Sequence, residues 1–300
     1  MSNSFSETDL LAKIFPLIKI NPNVLVPPGD DCAVFSAGSM NLAVTVDQVI
    51  EEKHYLANTS AELVGRKLMA RNLSDIAAMG GKPLFAVLAS ASFDKSEEWL
   101  IDFHKGVIDE GNKFGVTLIG GDLAGAVSDT VSSLTLIGEV SGKGILRSGA
   151  QSGDVLICTG QFGASFETEH HLNFTPRIEE GQWLAGFATS MIDVTDGLMI
   201  DLKRVCLKSE LGAVLHPEMI PRRSVESGIA SLKEALTDGE DYELLFSIPP
   251  DLVETVQNEW PFSTNLTMIG RFSSELPIGI FSDEKEDLIS LYGEGFDHFK

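Results

Sequence analysis

The chain is short of positive charge. It has 22 Lys and Arg against 44 Asp and Glu, a formal net charge of −22 at pH 7. A surface of that sign repels phosphate backbones and anionic lipids, which argues against nucleic-acid and membrane-surface partners. Cysteine is scarce too. Cys32, Cys158 and Cys206 stand far apart, with no CxxC pair and an odd count. That argues against a disulfide framework and fits a reducing compartment, each thiol being read as a small core residue. No apolar run reaches the ~18 residues of a membrane helix. MSNSFSETDL lacks the basic-then-apolar pattern of a signal peptide. The expected location is therefore cytoplasmic.

Several catalytic signatures are also missing. There is no GxxxxGK[ST], no HRD…DFG, no GxSxG and no HExxH, and GKGILR (142–147) lacks the last glycine of GxGxxG. The six His are scattered. The adjacent His170-His171 would face opposite sides of a strand and are read as surface or packing residues.

The chain is well supplied with apolar residues, 43% of its 300 residues, enough for a sizeable core in two ordinary domains or one large one. Residues 5–20 read as an amphipathic helix, with Leu10, Ile14, Leu17 and Ile18 at helical spacing. MNLAVTVD (40–47) reads as a strand stopping at a carboxylate. Residues 60–79 read as a helix ended by Gly80-Gly81 and Pro83, and LFAVLAS (84–90) as a buried-type strand. Asp94 with Glu97 resembles a capping box for a helix with Trp99, Phe103, Val107 and Ile108 on one face and Gly115 as its stop. Strands follow over 116–122 and 130–140. The polar, glycine-rich stretch 141–154 is the expected connector, dividing residues 1–143 from 144–300. Beyond it the pattern predicts a strand over 154–160, a helix over 178–187 and a strand over 190–196. A helix over 197–212 follows, with Leu198, Leu202, Val205 and Cys206 inward and Gly212 closing it. A strand over 242–248 and a helix over 251–258 complete the pattern. Both halves are thus mixed α/β (α+β).

The informative feature is carboxylates where a core should continue. Six segments place Asp at the end of an apolar run or on an apolar helix: Gly29-Asp30-Asp31, Thr45-Val46-Asp47, Asn72-Leu73-Ser74-Asp75, Gly120-Gly121-Asp122, Asp193-Val194-Thr195-Asp196-Gly197 and Gly239-Glu240-Asp241. Burying a lone carboxylate costs several kcal/mol unless it is paired or bound to a cation. No cluster of Lys or Arg stands near these segments in sequence. Oxygen ligands without His or Cys point to Mg²⁺ or Mn²⁺ rather than zinc. Glycines beside them allow close backbone approach to phosphate oxygens. The residues alone suggest a multi-Mg²⁺ polyphosphate site.

These segments, in this order, resemble the thiamine-monophosphate kinase family, part of the group that contains aminoimidazole ribonucleotide synthetase, selenophosphate synthetase and a hydrogenase maturation factor. The likeness runs from PPGDDCAV (27–34) to GFDHF (295–299). Its most specific parts are NLSDIAAMGGKP (72–83), LRSGAQSGD (146–154), IDVTDGLMIDL (192–202) and GEDYELLF (239–246). The resemblance implies two α/β domains. Four-stranded N-terminal sheets pair into a barrel across a homodimer, and ATP lies in the cleft between the domains. It implies ATP-dependent phosphorylation of thiamine monophosphate to thiamine diphosphate by direct transfer. By motif position, Asp30, Thr45, Asp47, Asp75, Asp122, Asp193 and Asp196 would hold Mg²⁺. Gly121, Asp122, Arg147 and Thr195 would bind ATP. His54, Glu240 and Phe296 would face thiamine monophosphate. The chain departs from the family's pattern at Glu52, where the family often has glycine, at Leu123 after GGD, and over QFGASFETEH (161–170). Another ATP-using enzyme of the group, or a non-catalytic nucleotide-binding protein, is the alternative expectation.

Overall fold

A computed structural model describes residues 6–296 of the chain; Phe5 of the first expected helix and the 297–299 end of the GFDHF motif lie outside the described residues. Helix α1 (Glu7–Ile14) starts at Ser6, whose hydroxyl accepts the Asp9 N–H at 3.2 Å. It is shorter than its apolar spacing predicts. Pro16 offers no N–H and turns the next residues, Phe15–Leu17, into a 3₁₀ turn.

The N-terminal half continues as β1 (Val24–Val26), β2 (Ala33–Ala37), β3 (Met40–Ile50), α2 (Ala61–Ala78), β4 (Lys82–Ser92), α3 (Glu97–Lys113), β5 (Thr117–Gly125) and β6 (Val131–Val140). Its strands form one sheet in the order β1-β2-β3-β6-β4-β5. β4 and β5 run parallel because α3 carries the chain back between them. The sheet has six strands, not four, because β1 and β2 extend it beyond β3.

Helices α2 and α3 cover one face. Leu134 and Leu136 of β6 are wholly buried there. The register neighbours Val46, Thr135 and Val87 point to the other face, where Val46 is 64% and Phe85 44% exposed. The expected doubly buried strand over 84–90 is therefore a strand with one open face. β3 runs three residues past Asp47 to Ile50, so that carboxylate sits within the strand rather than at its end. The cap of α3 is Ser96, which accepts the Trp99 N–H at 3.2 Å; Asp94 instead takes a left-handed φ of 53°.

The C-terminal half contains β7 (Val155–Thr159), α4 (His170–Asn173), α5 (Ile178–Leu184), β8 (Ser190–Asp193), α6 (Leu198–Ser209), β9 (Gly212–Leu215), the short pair β10 (Ser224–Val225) and β11 (Gly228–Ile229), α7 (Leu232–Thr237), β12 (Leu244–Ile248), α8 (Val253–Glu259), β13 (Leu266–Ser273), β14 (Gly279–Phe281) and α9 (Leu288–Tyr292). Its main sheet has the order β14-β9-β13-β7-β12-β8. α6 buries Leu198, Leu202, Val205 and Cys206 against it, as the helical spacing predicts. Glu210, in a left-handed conformation, ends α6, and Gly212 already begins β9. His170 and His171 fall on a helical turn, not a strand; His171 is buried and stacks on Phe166 at 4.1 Å.

Helix α2 lies between the halves and is buried on nearly every side. One apolar core joins it to the first sheet, to α3 and to α5, β7 and β12 of the second half. No helix of the described residues is long and apolar enough to cross a membrane.

Candidate active site

Lys67, Arg71 and Asp75 of α2 are spaced four residues apart and so form one stripe along the helix. From Lys67 to Asp75 the stripe is about 12 Å long. It faces β3, the 193–196 turn that follows β8, and the 239–243 loop that precedes β12.

At the Asp75 end the carboxylates converge. Oxygens of Asp31, Asp75 and Asp193 lie within 4.8 Å of one another. Thr45 of β3 donates its hydroxyl to Asp75, and Ser74 donates to Asp193. Burial, reinforced by the neighbouring negative charges, raises the Asp75 and Asp193 carboxyls well above the usual range. One Asp31 oxygen accepts from Arg147 Nε at 3.0 Å and Nη2 at 2.5 Å. The other, Oδ2, is buried without a hydrogen-bond partner. An orphaned carboxylate oxygen inside a group of three carboxylates is suited to a hard divalent cation. Asp30 stands beside this group and accepts the Arg147 N–H at 3.1 Å; burial first, and Asp31 second, push its carboxyl up to about 6.

At the Lys67 end the partners change. Lys67 Nζ donates to the His54 carbonyl at 2.7 Å and pairs with Glu240 Oε2 at 2.5 Å. Burial lowers the Lys67 ammonium to about 8, Glu240 opposing the drop. Burial acts to raise Glu240, and Lys67 and Arg71 more than offset it, so that Glu240 stays below the usual range. Arg71 makes two bonds to Asp47, at 3.1 and 3.2 Å, and its Nη1 lies 3.7 Å from Glu240. His54 Nδ1 accepts the Ile50 N–H at 2.9 Å, which puts the proton of the neutral ring on Nε2. A small cavity here is lined by His54, Glu240, Phe296, Thr195 and Asp196, among others. All three residues expected to face the substrate are thus together.

The loop geometry behind this is strained. Glu240 and Tyr242 take positive φ of 68° and 52°. They are held by bonds from Glu240 N to Thr195 O at 2.7 Å and from Tyr242 N to Val194 O at 2.8 Å. The tail closes the same cavity, with Phe296 N on Asp196 O at 2.9 Å.

Other expected residues lie elsewhere. Asp47 is in the row Asp47–Leu134–Leu88–Gly121 across the sheet. Gly121 is therefore three strand spacings, about 14 Å, from Asp47. Asp122, in the next row, is exposed on the edge strand β5. Asp196 pairs with Arg204 at 2.8 Å. The expectation that these carboxylates lack basic neighbours is overturned: Arg71 reaches Asp47, Arg147 reaches Asp31, and Arg204 of the following helix reaches Asp196. Asp241 and Glu243 of the GEDYE segment are likewise ion-paired, with Arg223 at 2.9 Å and Arg177 at 2.6 Å.

Sequence reasoning missed four residues, one of them Lys67, which holds Glu240 from α2. Asp31 joins the carboxylate group where Asp30 was chosen. Arg71 joins the two ends of the stripe. Asp201 is wholly buried and accepts the N–H groups of Thr195 at 2.9 Å and Asp196 at 3.1 Å while holding Arg204. An Asp in the first turn of a helix just after a glycine turn was the available signal for the last. Asp201→Asn is expected to destabilise the fold by about 1–3 kcal/mol, since the largely buried Arg204 loses a buried partner. A urea titration measures it, and an unchanged midpoint means the turn holds without that charge.

The family described as AIR synthase related protein, N-terminal domain, matches residues 29–140. The thiamine-monophosphate kinase of Haemophilus influenzae is 33% identical, with 99% of each chain covered. This chain belongs to the thiamine-monophosphate kinase family. The Escherichia coli K12 member is 32% identical over 98% of each chain. A solved structure, AaThiL complexed with AMPPCP and TMP, superposes with a TM-score of 0.84 at 25% identity, covering 98% of this chain and 97% of that one. Glu52 takes a φ of 61°, a left-handed conformation that glycine adopts without strain.

Proposed function

We propose that this chain transfers the γ-phosphoryl of ATP directly to the phosphate of thiamine monophosphate, giving thiamine diphosphate and ADP. The observation that carries the reading is the α2 stripe: a three-carboxylate group with an orphaned oxygen at one end, and the His54–Glu240–Phe296 cavity about 12 Å away at the other. An oxygen of the acceptor phosphate attacks the γ-phosphorus in line, and the bond to the β-phosphate oxygen breaks. The acceptor's second pKa is about 6, so it is mostly dianionic at neutral pH and needs no strong general base.

Asp31, Asp75 and Asp193 would hold Mg²⁺, with Asp30, Thr45, Asp47 and Asp196 added by motif position; Asp122, on the edge strand about three strand spacings from Asp47, is too far to share that ion. Mg²⁺ held there would neutralise charge between the two anions being joined. Gly121, Asp122, Arg147 and Thr195 would contact ATP. Glu240 suits the cationic thiazolium and the aminopyrimidine donors, and Phe296 offers that cation a π face.

The open apolar face with Val46, Phe85 and Val87 supports a homodimer in which two such sheets close a barrel. It also supports assigning dimerisation and most nucleotide contacts to residues 1–143, with residues 144–300 as the second domain. The three free, buried cysteines fit a reducing cytoplasm.

The test is product formation from ATP, Mg²⁺ and thiamine monophosphate, with free thiamine and aminoimidazole precursor as parallel acceptors. Thiamine diphosphate and ADP in equal amounts, only with the monophosphate and only with Mg²⁺, are expected. Product from another acceptor alone, or ATP binding without turnover, would overturn the reading.

A further inference from the structure

The small cavity that holds Glu240 and Phe296 adjoins a larger one that holds Asp47. Among the described residues, three line both: Lys53, His54 and Arg71. Each brings N–H donors, an ammonium, an imidazole protonated on Nε2 and a guanidinium. Concentrating donors at one junction is notable in a chain of net charge −22. Arg71 is the most constrained of them. It is 8% exposed, and its Nη1 is buried without a hydrogen-bond partner. The 3.7 Å gap to Glu240 is too long for a hydrogen bond. A buried guanidinium nitrogen left unmade is costly, and an anion relieves that cost.

We propose that Arg71, assisted by Lys53, binds the acceptor phosphate of the substrate at the junction of the two cavities. The inference rests on the function proposed above and assigns a binding residue to it. Arg71 is the middle member of the Lys67–Arg71–Asp75 stripe, about 6 Å from each neighbour. A phosphate there stands between the ring-binding cavity on one side and the carboxylate group on the other, where an acceptor must stand to be phosphorylated. Nε and Nη2 of Arg71 are held by Asp47, which fixes the plane of the guanidinium and leaves Nη1 for the phosphate.

The test is calorimetric binding at fixed Mg²⁺ of thiamine monophosphate, free thiamine and a non-hydrolysable ATP analogue, each titrated alone, to wild type, Arg71→Met and Arg71→Lys. Wild type is expected to prefer the monophosphate. Arg71→Met should weaken the monophosphate by about 10- to 100-fold and leave thiamine within about 3-fold, and Arg71→Lys should lose less. A merely structural Arg71 would weaken both ligands alike, and that result overturns the proposal. So does Arg71→Met keeping the full preference, or weakening only a non-hydrolysable ATP analogue, which would place the donor nitrogen's anion on the nucleotide. Wild type that binds neither thiamine compound is a different failure, that of the functional reading itself. Arg71→Lys retains the charge beside Asp47 and keeps the comparison available if Arg71→Met melts early.

Discussion

Asp75→Asn is expected to cut turnover at saturating Mg²⁺ by about 100-fold or more while leaving the thermal midpoint of the metal-free protein unchanged or higher. Asp75 is the α2 member of the carboxylate group, within 4.8 Å of Asp31 and Asp193 oxygens. With no cation present, the three repel one another and are desolvated, and for Asp75 and Asp193 this shows as carboxyls raised well above their usual range. Removing one charge relieves that repulsion, and the amide has nearly the same shape. The same removal takes away a ligand and one unit of charge from the proposed Mg²⁺ site. Stability and activity therefore move in opposite directions, which a mutation acting through misfolding cannot do. Added Mg²⁺ should raise the wild-type midpoint and do so much less in the variant. Normal turnover in Asp75→Asn, or a midpoint well below wild type, would show that the carboxylates are not a cation site.

The contrast between Asp30 and Asp31 shows where sequence reading ends. Both belong to the Gly29-Asp30-Asp31 turn, and composition gives no reason to prefer one. Only the path of the turn sends Asp31 toward Asp75 and leaves Asp30 accepting the Arg147 N–H. The carboxylate-rich segments themselves were legible, because an Asp interrupting an apolar run asks for a partner wherever the chain goes. Their partners were not. Arg71 and Asp47 lie 24 residues apart, and Arg147 and Asp31 lie 116 apart, so pairing depends on tertiary contact. The helices were readable with small shifts at their ends, α2 from its Gly80-Gly81 stop and α3 and α6 from their apolar stripes. The short strands β9 (Gly212–Leu215) and β14 (Gly279–Phe281) were not, since four or three residues carry too little pattern. The open face of β4 was misread because apolar residues line both of its faces, and sequence does not tell solvent from another protein surface.

Gly65→Ala and Gly106→Ala are each expected to destabilise the protein by about 3 kcal/mol, the upper end for overpacking. Helices α2 and α3 touch backbone to backbone at these two residues. A Cβ on Gly65 would stand 2.0 Å from the Phe103 carbonyl oxygen, and one on Gly106 would stand 2.0 Å from the Glu62 carbonyl oxygen. Alanine is the better helix former by about 1 kcal/mol, so an uncrowded glycine would give the opposite sign. Here the obstacle is backbone, which cannot rotate away as a side chain does. The helices must separate by an ångström or so, and α2 carries the stripe of Lys67, Arg71 and Asp75 with it. The loss should therefore appear in turnover by the folded protein as well as in the urea midpoint. The double variant should cost less than the sum of the two, because one displacement makes room for both methyls. A neutral or stabilising Gly65→Ala would mean that α2 is free to move against α3, and that the stripe does not depend on this crossing for its position.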